Sequence, residues 1–218
     1  MSSNDKSSRE GLRNLSTDSG DIADYYDEWA EDYDQTLAQW RYQAPERAAA
    51  LLRAALEPDA VILDAGCGTG LTGRALAGAG FSTFDGIDVS QRSLDVAARL
   101  GIYRSLLRVD MQKLPLPFDD DSYEGLMCVG VMTYLPDSSG TLGEFRRLVK
   151  PGGAVLLTQR TDIHEERDFP AVLRELKNQD LIRDVTISEP GPYLPANEEF
   201  GDEVMVHYIG FRVAGAGR

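Results

Sequence analysis

Asp64, Gly66, Gly68 and Gly70 stand where an apolar run, Val61–Ala65, gives way to a helix-forming segment that begins near Leu71. Glycine has no Cβ, so a loop with glycine at alternate positions can turn sharply and lay its backbone against a ligand. Asp88 ends the next apolar run, Phe84–Val89, where a carboxylate can accept from the two hydroxyls of a ribose. Asp110, in Val109-Asp110-Met111, closes a third run. Its carboxylate can accept from an adenine amino group while the next backbone N–H donates to a ring nitrogen. Acids and glycines at the ends of successive strands read as a nucleoside-cofactor site at the carboxyl edge of a parallel sheet.

Two cofactor classes compete for that loop. The run from Gly68 through Gly70 to Gly73 matches the dinucleotide fingerprint G-x-G-x-x-G, and Asp88 serves equally as its ribose acid, so an NAD(P)-dependent oxidoreductase stays open. Asp64 weighs the other way. A carboxylate just before the first glycine is badly placed beside a pyrophosphate, whereas S-adenosylmethionine carries an ammonium and a sulfonium and no phosphate. Asp110 adds an adenine partner.

The elements that must position these residues follow from periodicity. Strands are expected at Val61–Asp64, Thr83–Asp88, Leu106–Val109, Gly125–Val131, Ala154–Thr158, Val185–Ser188 and Val204–Val213, alternating with helices at Leu71–Gly78, Leu94–Leu100, Leu142–Val149 and Phe169–Asn178. Ser90 can cap the second of these helices, Pro45 suits the start of another over Glu46–Leu56, and Pro151–Gly153 reads as a sharp turn. The segment between the last two strands lacks a helix-length apolar pattern, so that pair is expected to be antiparallel. The fold class is therefore α/β: a Rossmann-like doubly wound, seven-stranded sheet, mostly parallel with an antiparallel last strand and helices on both faces. Residues 1–20 read as a mobile tail, 21–58 as an N-terminal helical lid, and 59–218 as the cofactor domain.

The chain has 218 residues and a formal charge of −14. Asp18–Asp34 holds eight acids and no bases, and Asp184–Phe211 six acids and no bases. Such a surface repels phosphate backbones, which argues against nucleic-acid partners and toward a neutral or cationic small molecule. No apolar stretch approaches a bilayer span, the start lacks a signal-type core, and Cys67 and Cys128 suit a reducing compartment, so a cytoplasmic protein is expected. No zinc-type spacing or paired carboxylate set suggests a metal. His207, in the apolar run Val204–Ile209, reads as a sheet residue, and His164 is a weak candidate base. The sequence sets no oligomeric state.

The chain resembles the class I S-adenosylmethionine-dependent methyltransferases over roughly Tyr26–Thr161. The resemblance is carried by the loop Asp64–Gly70, by Asp88, and by Asp110 with Met111. It extends to Tyr26–Gln35, Tyr42–Pro45, Lys150–Gly153 and Thr158–Thr161, blocks similar to a methyltransferase-like subfamily. It implies that S-adenosyl-L-methionine is the cofactor and that Asp64, Gly66, Cys67, Gly68 and Gly70 form its glycine loop. It further implies that Asp88 binds the ribose, Val89 lies beneath the adenine, Asp110 and Met111 meet its edge, and Cys128 and Val129 line the donor. Tyr26, Trp29 and Tyr33, on one helical face, would close over it as a lid. Acceptor-facing candidates are Met132, Thr133, Tyr134, Gln159, Arg160, Thr161 and Tyr193. No catalytic residue is identifiable, and a protein that holds the cofactor without turnover stays open.

Overall fold

The computed structural model describes residues 16–200 and 203–215. The tail expected over residues 1–20 lies mostly outside them. Its last residues do not extend it: α1 (Ser19–Trp29) starts at Ser19, and the Asp18 carboxylate caps it by accepting from the Gly20 and Asp21 amides.

Among the described residues the sheet runs β3 (Ser105–Arg108), β2 (Thr83–Asp88), β1 (Val61–Ala65), β4 (Tyr123–Cys128), β5 (Val149–Arg160), β8 (Met205–Val213), β6 (Ile182–Ile187). A two-residue strand, β7 (Gly191–Pro192), pairs with β8 off this path. Strands β1 to β5 are parallel, and β8 is antiparallel to both β5 and β6. The order reverses between β1 and β4, and ligand crevices open at such a switch point.

Helices α3 (Ala44–Ala55) and α4 (Leu71–Gly78) pack on one face, where Ala48, Leu52 and Leu76 meet Ile62, Phe84 and Met127. On the other face α6 (Ser138–Leu148) and α8 (Phe169–Asn178) bring Leu142, Phe145 and Phe169 against Leu63, Leu126 and Ile209. Ile62 and Leu63 point to opposite faces, as the two-residue repeat of a strand requires. Each such side chain, fully buried, contributes about 1.5–3 kcal/mol.

Several boundaries differ from expectation. The aromatic helix of the N-terminal segment is two helices, α1 and α2 (Tyr33–Gln39), separated by a turn over residues 30–32. Strand β4 stops at Cys128, because Gly130 turns the chain with φ +76. Strand β5 begins at Val149 rather than Ala154. The Pro151–Gly153 turn survives as an irregularity within it, with Tyr123 opposite Val149 and Gly125 opposite Ala154. Helix α5 (Gln91–Ala98) starts directly after Ser90, whose hydroxyl accepts from the Ser93 amide. A short helix, α7 (Thr161–Glu166), follows β5 without a sequence signal.

The acidic segment after β6 packs on the N-terminal helices. Leu194, Phe200 and Val204 share one buried cluster with Trp29, Leu37 and Trp40. No helix among the described residues is long and apolar enough to cross a membrane.

Candidate active site

A cleft of about 690 Å³, its open mouth included, lies at the carboxyl ends of β1, β2 and β4 under helix α1. The glycine loop forms its floor. The Gly66 and Cys67 amides both donate to the Ile87 carbonyl, at 2.8 and 2.9 Å, which fastens the loop to the end of β2. The Gly68 amide donates to Asp88 Oδ2 at 2.9 Å, and the Ser90 amide donates to Asp88 Oδ1 at 2.9 Å. Asp88 thus ties the loop to the turn before α5. Burial pushes its carboxyl above the usual range, while the Ser90 and Gly68 amides oppose that shift.

The three loop glycines answer different demands. Gly66 has φ +84, and a Cβ there would sit 2.3 Å from Val131 Cγ2; Gly70 has φ +96, and a Cβ there would sit 2.5 Å from Leu100 Cδ1. Gly68 has φ +53 and open space on its Cβ side. Packing fixes Gly66 and Gly70, whereas Gly68 leaves its backbone bare toward the cleft. Gly73, the last glycine of the dinucleotide fingerprint, is set by Tyr103, whose ring a Cβ would overlap.

Asp64 does not face the cleft. Its side chain is buried, and its Oδ2 accepts from the Thr72 hydroxyl at 2.6 Å and the Tyr103 hydroxyl at 2.8 Å. Oδ1 has no partner among the described residues, and burial pushes the carboxyl up to about 7. Asp110 does line the cleft. Burial pushes it up, but hydrogen bonds from Ser19, the Gln112 amide and Lys113 hold it below the usual carboxylate range.

The cleft also receives Tyr26, Tyr33, Gly66, Gly68, Val89, Met111, Val129 and Tyr134 among the residues expected from sequence. Others expected from sequence lie outside the lining. Trp29 is 1% exposed and sits behind the lining, stacked on Tyr26 and edge-on to Tyr33. Cys67 and Cys128 are buried, Cys128 on the sheet face that packs against α6 and α8. Gly70, whose Cβ side faces Leu100, is not part of the lining.

On the acceptor side, Met132 is core, and Thr133 offers its carbonyl to Arg167. Arg160 is 5% exposed, pairs with Asp162 at 2.5 Å and lies over the Phe200 ring. Gln159 is 1% exposed and His164 7%, with the His164 ring against His207 at 4.6 Å, away from the cleft. Tyr193 lies beyond Gly130, considered below.

Sequence reasoning missed Ser19, Ile22, Thr69, Ser93, Val109, Gln112, Val131 and Leu135, all of which line the cleft. Most adjoin expected positions, so the elements were identified and the reach of each was not. Arg167 had no signal. It donates to the carbonyls of Met132 (3.1 Å), Thr133 (2.8 Å) and Leu135 (3.0 Å) and so holds the 3-10 turn Met132–Tyr134.

Two carboxylates, Asp88 and Asp110, line the cleft, and among the described residues no Lys, Arg or His does. Lys113 pairs with Asp110 at 3.2 Å from outside the lining, so a pyrophosphate there would meet Asp88 without a basic partner. A nucleoside carrying an ammonium and a sulfonium matches the same donor and acceptor set.

Residues 63–157 match the family described as methyltransferase domain. Methyltransferase-like protein 27 of Homo sapiens is 36% identical over 141 residues, covering 63% of this chain and 57% of that protein. Ubiquinone biosynthesis O-methyltransferase of Thiobacillus denitrificans is 36% identical over 101 residues, covering 44% of this chain and 43% of that protein. The chain therefore spans about half the length of the curated relatives it matches. An S-adenosylmethionine-dependent methyltransferase structure from Mesorhizobium loti superposes with a TM-score of 0.55 at 21% identity, covering 77% of this chain and 99% of that one, which shows the same fold. Residues 63–157 of this chain are thus similar to the methyltransferase domain family, on a fold shared with S-adenosylmethionine-dependent methyltransferase structures.

Proposed function

We propose that this chain transfers a methyl group from S-adenosylmethionine to a small-molecule acceptor that is neutral or cationic, in the cytoplasm and without nucleic-acid or membrane partners. The observation that carries the reading is a cleft lined by Gly66, Gly68, Asp88 and Asp110 with no basic side chain among the described residues. In this reading Asp88 accepts from the ribose diol, Val89 and Met111 bracket the adenine, and Asp110 accepts from its amino group. The bare backbone at Gly68 takes the amino-acid portion. Asp64, Cys67, Gly70 and Cys128 support the donor site from beneath rather than touching the donor.

Residues 21–58 act as a lid on the domain formed by 59–218. Tyr26 and Tyr33 of the lid line the cleft, and Trp29 backs them. The bound donor supplies an activated methyl group whose leaving group is a neutral thioether. The protein has to hold the acceptor at a near-attack distance of about 3 Å and exclude water. The similarity to a ubiquinone biosynthesis O-methyltransferase of Thiobacillus denitrificans supports a small acceptor.

The test is a product assay with labelled donor against amines, thiols, phenols and carboxylates. Label should appear in a small molecule; label in protein or RNA, with none in small molecules, contradicts the reading.

A further inference from the structure

Beyond the donor cleft, tyrosines gather around Gly130. Tyr26, Tyr33 and Tyr134 line the cleft, with the Tyr26 hydroxyl donating to the Tyr134 hydroxyl at 3.1 Å. Gly130 lines it too, and a Cβ there would lie 3.1 Å from the Tyr42 hydroxyl and 3.6 Å from the Tyr193 hydroxyl. The Tyr42 and Tyr193 rings meet edge to face, 5.7 Å apart. Glycine at 130 therefore opens the end of the donor cleft onto a second pair of phenols.

These rings come from four separate places: α1 and α2, the segment after α2, the turn after β4, and the acidic segment after β6. Nothing local in the sequence brings them together. Tyr33, Tyr42 and Tyr193 are half-buried, and among the described residues their hydroxyls make no hydrogen bond, so each is open to a ligand or to water.

Asp88 and Asp34 act on Tyr33; at Tyr134 and Tyr193 the Arg160 guanidinium acts ahead of Glu199 and Asp162, and Asp162 is paired with it. The faces of tyrosine rings attract a cation. None of the phenols serves as a general base near neutral pH, because burial pushes all five up. Both histidines lie elsewhere.

We propose that the tyrosines around Gly130 form a cage for an amine acceptor, with Tyr42, Tyr134 and Tyr193 as its specificity-determining residues. The inference rests on the donor reading above and narrows its acceptor class.

The chemistry balances without a base at the moment of attack. The neutral amine's lone pair forms a bond to the methyl carbon as the carbon–sulfur bond breaks. That bond's electrons stay on sulfur, which leaves as a thioether. The positive charge moves from sulfur to nitrogen, and a proton on the product ammonium passes to water afterwards. A cation is present throughout, so a cage that favours cations stabilises the charge along the whole path. A phenolate would instead bring a desolvated anion against ring faces that favour cations.

The test uses the full chain saturated with S-adenosylhomocysteine, titrated by calorimetry or NMR with tetramethylammonium, its uncharged counterpart tert-butanol, and 4-nitrophenolate. Tetramethylammonium should bind roughly tenfold more tightly than tert-butanol, and 4-nitrophenolate more weakly than either. Tyr193→Leu and Tyr42→Leu should each weaken tetramethylammonium severalfold. Tyr193→Phe, which keeps the ring and its packing, should weaken it less, and unchanged S-adenosylhomocysteine affinity reports that each variant is folded. Equal affinity for the charged and uncharged probes, preference for the phenolate, or indifference to the Tyr42 and Tyr193 substitutions overturns the cage while leaving the donor site standing. Failure of S-adenosylhomocysteine itself to bind removes the donor reading, and the cage with it.

Discussion

Asp27 Oδ1 accepts hydrogen bonds from the Ser90 hydroxyl at 2.5 Å and from the Arg92 amide at 3.0 Å, so α1 fastens to the start of α5, the helix that follows Asp88. The same pattern recurs along the lid. Asp34 accepts from the Thr69 hydroxyl inside the glycine loop at 2.5 Å, and Glu31 pairs with Arg99 of the turn after α5. A stretch that reads in sequence as an acidic surface is in part a set of latches onto the donor-binding loops.

The latches give the first prediction. Asp27→Asn with Asp34→Asn should leave the core folded and weaken S-adenosylhomocysteine binding about three- to tenfold, since partly exposed polar contacts are individually weak. Hydrogen exchange reads the cause. Amides of residues 21–40 should exchange faster in the variant, and in the parent should slow when S-adenosylhomocysteine is added. Equal protection with and without ligand would make the segment fixed core and not a lid.

Asp88→Ala removes the acceptor for the Gly68 and Ser90 amides as well as the ribose contact. Binding of S-adenosylhomocysteine should weaken by about 1.5–3 kcal/mol, the loss expected for charge-assisted hydrogen bonds. An unchanged dissociation constant in calorimetry would place the ribose elsewhere.

Gly66→Ala and Gly68→Ala should separate packing from ligand contact. At Gly66 the new methyl collides with Val131 and the backbone is left-handed, so thermal or urea unfolding should show a loss above about 2 kcal/mol. At Gly68 there is space, so stability should fall by about 1–2 kcal/mol from the backbone alone. Donor affinity should drop out of proportion to that loss. Equal stability losses with equal affinity losses would show that the two glycines do the same job.

The strand–loop–helix around Asp64–Gly70 was legible because its signals are local: an apolar run, alternate glycines and an acid on the following strand. The antiparallel place of β8 was legible from a connection without a helix-length apolar pattern. What escaped depends on distant partners. That Asp64 points away from the cleft follows from Tyr103 and Thr72, 39 and 8 residues away. Trp29 shares a helical face with Tyr26, yet the break at residues 30–32 lets Tyr33 fold across it and seals it behind the lining. Arg167 reaches back to carbonyls 32 to 35 residues earlier, a contact no spacing rule encodes.

Asp64 should leave a mark on the pH dependence of stability. Its carboxyl, ordinarily near 3.8, is pushed up to about 7 by burial, so between these values the folded state holds a proton that the unfolded chain has lost. Stability from this group is full below about pH 4 and falls as pH rises toward about 7, then levels off. Asp64→Asn cannot ionise, so urea unfolding of the variant relative to the parent should improve between pH 5 and pH 8. Parallel profiles would show that Asp64 is charged throughout.

Arg167→Ala should free the turn that carries Tyr134. Stability should fall by about 1.5–3 kcal/mol for the lost charge-assisted bonds to carbonyls. Binding of acceptor-site probes should suffer more than binding of S-adenosylhomocysteine, and Arg167→Lys should recover part of the loss. A variant whose donor and acceptor affinities fall together would show that Arg167 supports the fold at large.

The most direct measurement is calorimetric titration of the chain with S-adenosylhomocysteine, S-adenosylmethionine, NADH and NADPH under identical conditions. The two sulfur nucleosides should bind one to one and the dinucleotides should give no saturable heat, because among the described residues two carboxylates and no basic side chain line the cleft. Saturable binding of a dinucleotide with none of either sulfur nucleoside would contradict the account at its centre.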